Sequence, residues 1–206
     1  MRTTALILSA LLFGVLPERG VAQANESSAA HLRNDCRLAA QVLATGHPAP
    51  RRAWALQRID LCDRSGPAVL IQMWSRVPPT RAALEELEVP STRLRDRRVY
   101  VALSEIAQNA SEPSLKRIIA LDVLAWYAAP NRGMPLDELL DPRPDSVRSI
   151  RLTAVDYSPH TVGAEPLPET ITDDVTGLLR NIANGEPTSA VGVAASRLLR
   201  FVLVRN

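Results

Sequence analysis

The two cysteines, Cys36 and Cys62, are the residues whose chemistry the sequence predicts most directly. Residues 47–50, His-Pro-Ala-Pro, lie about midway between them and cannot continue a helix, so we expect two antiparallel helices that turn there. The cysteines would then face each other and form a disulfide, which stabilises a fold by about 3 kcal/mol through the entropy of the closed loop. Two free buried thiols are the alternative.

A second group of reactive side chains lies in a proline-rich segment, residues 130–168, whose prolines exclude a long helix. Asp156, His160 and Glu165 could form an acid–base or metal-binding site there, and a small hydrolase or metal-dependent enzyme is one interpretation. One histidine and one nearby aspartate do not complete a metal shell, and the chain has no Gly-x-Ser-x-Gly motif and no phosphate-binding loop. The sequence therefore predicts no catalytic residue, no cofactor and no metal site.

Five residues have the chemistry of a binding surface. Arg93 and Arg97 belong to the densest basic run of the chain, and Arg132, Tyr157 and His160 lie in the proline-rich segment. The whole chain has 24 basic and 22 acidic residues and a formal net charge of +2, which gives no electrostatic drive toward nucleic acid or an anionic membrane. No aromatic residues alternate with the arginines to stack on bases. The basic run is therefore either a solvated face or a site for an acidic partner, and the proline-rich segment is expected to bind a partner, most simply another protein.

The N-terminus has the pattern of a cleavable secretory signal peptide. Arg2 supplies the positive charge, residues 3–16 are uncharged and mostly apolar, and Ala22 and Ala24 form the A-x-A cleavage pattern. The apolar run is shorter than the roughly 20 residues that a membrane span needs. We predict cleavage after Ala24, the general secretory route, a periplasmic or secreted protein, and no membrane span after cleavage. A retained N-terminal anchor is the alternative.

Residues 25–206 are long enough for one domain with a sizeable core, and their pattern predicts an all-α fold. A strand at 147–155, paired with 161–167 in a small β-hairpin, is the predicted exception within the proline-rich segment. Proline, glycine and capping residues place a helix start at Thr80 with an end before Pro90, and the next helix start at Ser91 or Thr92. The predicted helices cover residues 27–45, 51–64, 65–77, 80–89, 91–109, 111–129, 170–185 and 186–204.

Two of the predicted helix pairs repeat each other. In each pair, apolar residues at helical spacing are followed by a Glu-Pro-Ser/Thr helix start and then by an alanine, a leucine and an aromatic residue. The first pair has Glu112-Pro113-Ser114 and the second has Glu186-Pro187-Thr188. Without the proline-rich segment the period is about 35–40 residues, which is in the range of stacked helix-pair repeats. A helical bundle without repeats is the alternative.

On these residues the chain resembles the α-solenoids of the HEAT and armadillo-like kind. The resemblance implies antiparallel helical hairpins stacked into a short solenoid, with residues 130–168 as an insertion between repeats. Such stacks present long binding grooves and use insertions for recognition. The resemblance thus implies an exported binding scaffold whose insertion contacts another protein in the envelope or outside the cell. Asp122, alone in the apolar stretch 118–129, is expected to pair with Arg117 or with an arginine of a neighbouring repeat.

Overall fold

A computed structural model of the chain describes residues 19–45, 49–59, 62, 65–129, 139–140 and 165–203. Within these ranges the protein is all-helical, with eight α-helices and no β-strand. The helices are α1 (Arg19–Ala44), α2 (Ala49–Ile59), α3 (Ser65–Arg76), α4 (Arg81–Leu94), α5 (Arg97–Gln108), α6 (Ser114–Ala128), α7 (Ile171–Gly185) and α8 (Ala190–Leu203). The all-α prediction is confirmed for this part of the chain. Residues 165–167 of the predicted β-hairpin are not in a strand, and its other residues lie outside the described ranges.

Helix α1 contains the predicted signal cleavage positions. It begins at Arg19, so Ala22 and Ala24 lie within its first turns. Among the described helices, none combines the length and the apolar character that a membrane crossing requires. The signal peptide and the boundary at residue 24 stay predictions.

Helix α4 continues through Pro90, and the prediction that it ends before this residue is wrong. A proline inside a helix removes one backbone hydrogen bond and costs about 3 kcal/mol. Tertiary contacts just after the proline act against this cost: the Oγ of Ser91 accepts a hydrogen bond of 2.9 Å from Trp74 Nε1, and its carbonyl accepts one of 2.6 Å from the Tyr127 hydroxyl. Ser91 and Thr92 are therefore buried residues of α4, not the caps of the next helix.

The turn between α4 and α5 is made by Arg95 and Asp96. Arg95 adopts the left-handed conformation, with φ of 43°, which ends α4. Its guanidinium donates to the Tyr127 carbonyl at 3.1 Å, and this hydrogen bond joins the turn to α6. Asp96 is the N-cap of α5, because its side chain accepts a hydrogen bond of 2.8 Å from the backbone N–H of Arg98.

Four pairs of consecutive helices are in contact: α1 with α2, α3 with α4, α5 with α6, and α7 with α8. Helix α3 packs on α1 and α5 at least as extensively as on α4. Between pairs, α3 packs on α1 and α2, α4 on α2, α5 on α3, α6 on α4, and both α7 and α8 on α6. Helix α6 is buried along almost its whole length, as its apolar stretch predicts, and Ile119, Leu121 and Leu124 are fully inaccessible.

A disulfide joins Cys36 of α1 to Cys62, which follows the end of α2. The two Cα atoms are 5.5 Å apart, and both residues are buried. The predicted pairing is thereby confirmed. Gly66, in the first turn of α3, lies so close to the carbonyl oxygen of Ile59 that a Cβ atom would collide with it, so the start of α3 packs tightly against the end of α2.

Candidate functional site

The end of the proline-rich segment is fastened to the first turn of α5 by a buried carboxylate. The side chain of Asp96 is fully buried and accepts hydrogen bonds from the Nε and Nη2 atoms of Arg98 at 3.0 and 2.8 Å. It also accepts one from the backbone N–H of Glu165 at 2.9 Å. In return, the backbone N–H of Arg97 donates to the Glu165 carbonyl at 3.0 Å. These contacts place residue 165 beside the N-terminus of α5, and we call this region the α5 edge: Arg93, Asp96, Arg97, Arg98 and Glu165.

The buried carboxylate of the α5 edge is stabilised by hydrogen bonds from residues of the edge itself. Burial acts to raise the pKa of Asp96, but the hydrogen bonds from Arg98 and from the Glu165 backbone outweigh it, so the pKa lies below its usual value. The carboxylate is therefore ionised in the folded protein. Glu165 Oε1 lies 3.6 Å from Arg98 Nε, which gives Arg98 a second acidic neighbour.

Two of the five predicted binding residues lie at the α5 edge. Arg93, in the last turn of α4, and Arg97, in the first turn of α5, are both exposed and flank the turn that carries Asp96. Arg132, Tyr157 and His160 lie outside the described residues. The guanidinium groups of Arg93 and Arg97 can bind carboxylates or carbonyl oxygens of a partner beside the point where the insertion rejoins the helices.

The beginning of the insertion is also held by the helices. Leu139 is buried, and its carbonyl accepts a hydrogen bond of 3.1 Å from Nη1 of Arg197 in α8. Next to the end of α6, the hydroxyl of Thr172 in α7 donates to the Ala128 carbonyl at 3.2 Å. Contacts on both sides of residues 141–164 therefore fix the two points between which that stretch runs.

Asp122 does not have the partner that the sequence suggests. Arg117 donates instead to both carboxylate oxygens of Glu186, at 3.1 and 2.6 Å, and to the Ala107 carbonyl at 2.9 Å. The two oxygens of Asp122 are buried and accept no hydrogen bond from any N–H or O–H group of the described residues. The group beside them is the carboxyl of Glu88 in α4. The prediction of an Asp122–Arg117 pair is therefore wrong.

Asp96 and Glu186 are important residues that the sequence reading missed. Asp96 precedes α5 directly, and an aspartate in that position is a standard capping signal. Its contact with Glu165 joins residues 69 positions apart and has no local signal. The same separation holds for Arg117 and Glu186, which are joined only by the packing of α6 against the α7–α8 pair.

The described residues are all-helical, contain one disulfide, and hold the proline-rich segment at residues 139 and 165. No protein-family model, curated protein or solved structure matches the chain. Within the described ranges, no three histidine, cysteine or acidic side chains are placed so that they could hold a metal ion.

Proposed function

We propose that the protein is an exported helical-repeat scaffold that binds another protein at the α5 edge and the adjoining insertion. The observation that carries the proposal is the anchoring of Glu165 by buried Asp96, directly beside exposed Arg97. A buried, ionised aspartate fixes the end of the insertion more firmly than a surface contact would, since its hydrogen bonds are charge-assisted.

The pattern of contacts between helices supports a solenoid of the HEAT or armadillo-like kind. In a stack of hairpins, each pair contacts the pair before it and the pair after it. The main contacts among the described helices follow this rule from α1 to α8. In such a stack, the second helices of successive hairpins also run parallel to each other. Helices α4 and α6 fit this rule: Glu88 of α4 contacts Asp122 of α6, and Ser91, further along α4, contacts Tyr127, further along α6.

The last two pairs fit the same arrangement. Arg117, near the start of α6, contacts Ala107 at the end of α5 and Glu186 just after α7. Thr172, at the start of α7, contacts Ala128 at the end of α6. Helix α6 is thus antiparallel to both α5 and α7, as hairpins stacked in chain order require.

Export is supported by two independent features. One is the N-terminal pattern that ends at Ala22 and Ala24. The other is the Cys36–Cys62 disulfide, because such bonds persist in oxidising compartments such as the periplasm or the cell exterior.

The test is capture of a partner from the native envelope fraction by crosslinking and mass spectrometry. One variant replaces residues 141–164 by a short Gly/Ser linker, which keeps the anchors at Leu139 and Glu165. A second variant, Arg93→Glu with Arg97→Glu, reverses the charge of the α5 edge. A third carries Arg132→Ala alone.

The matched control is Arg180→Glu with Arg200→Glu, which reverses two exposed arginines on α7 and α8. Circular dichroism checks that every variant is folded. We expect one partner to be captured by the wild type and the control and lost from the linker and α5-edge variants. Equal capture by all forms, or equal loss from the control, would contradict the proposed site.

A further inference from the structure

The interface between α4 and α6 contains two carboxyl groups and no basic partner for the deeper one. Asp122 is 1% exposed, and neither of its side-chain oxygens accepts a hydrogen bond from an N–H or O–H group of the described residues. Its neighbour is the half-buried carboxyl of Glu88. Two adjacent carboxylates in a low-dielectric site repel each other strongly, whereas one proton placed between them creates a hydrogen bond.

The basic groups nearest in sequence are committed elsewhere. On α6 itself, Lys116 pairs with Glu112 at 3.0 Å and Arg117 with Glu186 at 2.6 Å. On α4, Glu85 adds a further negative charge that acts on Glu88.

The other helices that pack on α6 are α5, α7 and α8. Two of their arginines are directed to other acceptors, Arg98 to Asp96 and Glu165, and Arg197 to the Leu139 carbonyl. Their remaining charged residues are all exposed: Arg97, Glu105, Asp173, Asp174, Arg180 and Arg200. In the described part of the chain, Glu88 is the group whose charge acts on Asp122.

We propose that Asp122 and Glu88 share one proton, and that this proton is a pH-sensitive latch between the second and third helix pairs. While the proton is bound, the carboxyl of one residue donates a hydrogen bond to the carboxylate of the other and joins α4 to α6. When the proton leaves, two buried negative charges face each other and the contact between the α3–α4 and α5–α6 pairs is weakened.

The direction of the pH effect on stability depends on whether the folded protein or the unfolded chain binds the proton more tightly. Burial, and then the charge of Glu88, hold the pKa of Asp122 well above its usual value. Burial and the charge of Glu85 also raise the pKa of Glu88, although the hydrogen bond between Glu88 and Asp122 acts to lower the Glu88 pKa. The folded protein therefore keeps a proton that the unfolded chain has already lost. Stability falls as the pH rises from the unfolded toward the folded pKa, by up to about tenfold in the unfolding constant per pH unit for one proton.

The test is urea unfolding of the full chain at a series of pH values, with Asp122→Asn and Glu88→Gln as the variants. In each variant an amide N–H replaces the shared proton and donates to the remaining carboxylate, so the contact between the helices is retained. We expect the wild-type midpoint to fall as the pH rises above the unfolded carboxyl pKa. This slope should be lost in Asp122→Asn and should be shallower in Glu88→Gln, because burial still acts on Asp122 there while the charge of Glu88 is gone. Glu105→Gln, which neutralises an exposed carboxylate of α5, should keep the wild-type slope.

Infrared spectroscopy across the same pH series supplies a second readout that does not depend on stability. Above the unfolded carboxyl pKa, the wild type should still show the carbonyl band of a protonated carboxylic acid and lose it over the pH range in which the midpoint falls, and Asp122→Asn should lack this band. If Asp122→Asn does not fold, Glu88→Gln decides between the outcomes by the same urea series. A wild-type pH slope that is unchanged in Glu88→Gln, or a wild-type spectrum without the protonated band in the pH range where the midpoint falls, would overturn the proposal.

Discussion

Arg117 and Asp122 are two buried charged residues of the same helix, and their surroundings are opposite. Arg117 is 4% exposed and donates three hydrogen bonds, two to Glu186 and one to the Ala107 carbonyl. Asp122 is 1% exposed and accepts none from the described residues. Five helical positions correspond to a rotation of about 140°, so the two side chains point to nearly opposite sides of α6. Position around a helix, rather than distance along it, decides which charges meet.

The two sides of α6 also differ in how they respond to protons. Toward the α7–α8 pair, a permanent cation faces a carboxylate, and the contact is complete at neutral pH. Toward α4, two groups of the same kind meet, and a hydrogen bond exists only while one of them holds a proton. The contact of Arg117 with Glu186 should weaken in acid, and the contact of Asp122 with Glu88 should weaken as the pH rises.

Removal of Arg117 should have the largest effect on stability. Arg117→Ala removes the donor to the Ala107 carbonyl and leaves Glu186 with the Ser189 hydroxyl as its remaining donor. Loss of one partner of a buried pair costs about 3 kcal/mol, the lower end of the range because Glu186 is partly exposed. Urea unfolding at neutral pH measures the change. Arg180→Ala, at an exposed arginine of α7, is the control and should change stability by less than about 0.5 kcal/mol. Equal effects of the two changes would contradict the importance of the Arg117 contact.

Substitution of Gly192, which packs closely against the backbone of Glu186, should give a second and smaller loss of stability. A Cβ atom at Gly192 would collide with the carbonyl oxygen of Glu186, so Gly192→Ala should force α8 away from the α7–α8 turn at a cost of about 1–3 kcal/mol.

Gly177 is the matched control for this change, because it lies inside α7 with open space around its Cα. Gly177→Ala should stabilise the protein by up to about 1 kcal/mol, since alanine is the better helix former. Thermal unfolding of both variants checks the predicted difference in sign, and destabilisation by both would show that close packing at residue 192 is not the cause.

The smallest expected effect is the loss of the Glu186 charge. The hydrogen bonds from Arg117 lower the pKa of Glu186 below its usual value, so its contribution is complete above the unfolded pKa and is lost as the pH falls through the folded one. Glu186→Gln should cost about 1 kcal/mol at neutral pH and should flatten the acid side of the stability curve alone. Glu169→Gln, at an exposed carboxylate, is the control and should leave the acid side of the stability curve unchanged. If the acid side stays as steep in Glu186→Gln as in the wild type, carboxyl groups other than Glu186 cause the loss of stability in acid.

Local patterns in the sequence are sufficient for much of the fold. Helical periodicity and the Pro and Gly breaks locate most of the helices, and the packing of α1 against α2 brings Cys36 and Cys62 together as predicted. These features succeed because they depend on neighbours a few residues apart. The basic run likewise indicates Arg93 and Arg97, which the structure places at one exposed edge.

The contacts that hold the helix pairs together could not be predicted in this way. Pro90 reads as the end of α4, yet hydrogen bonds from Trp74 and Tyr127 to Ser91 stabilise the helix beyond it. Asp122 reads as a partner for Arg117 because the two are close in sequence. Each error comes from tertiary contacts that no window of neighbouring residues contains.

The two anchors of the insertion have a consequence for the continuity of the polypeptide. Leu139 is held by Arg197, and Glu165 by Asp96, so the positions on either side of residues 141–164 are set by helices rather than by the covalent link between them. A protease cut within this stretch should therefore leave two fragments that remain associated. The same stretch is suited to new termini in a circular permutant, because the packing of α6 with α7 and α8 would still bring the two halves together.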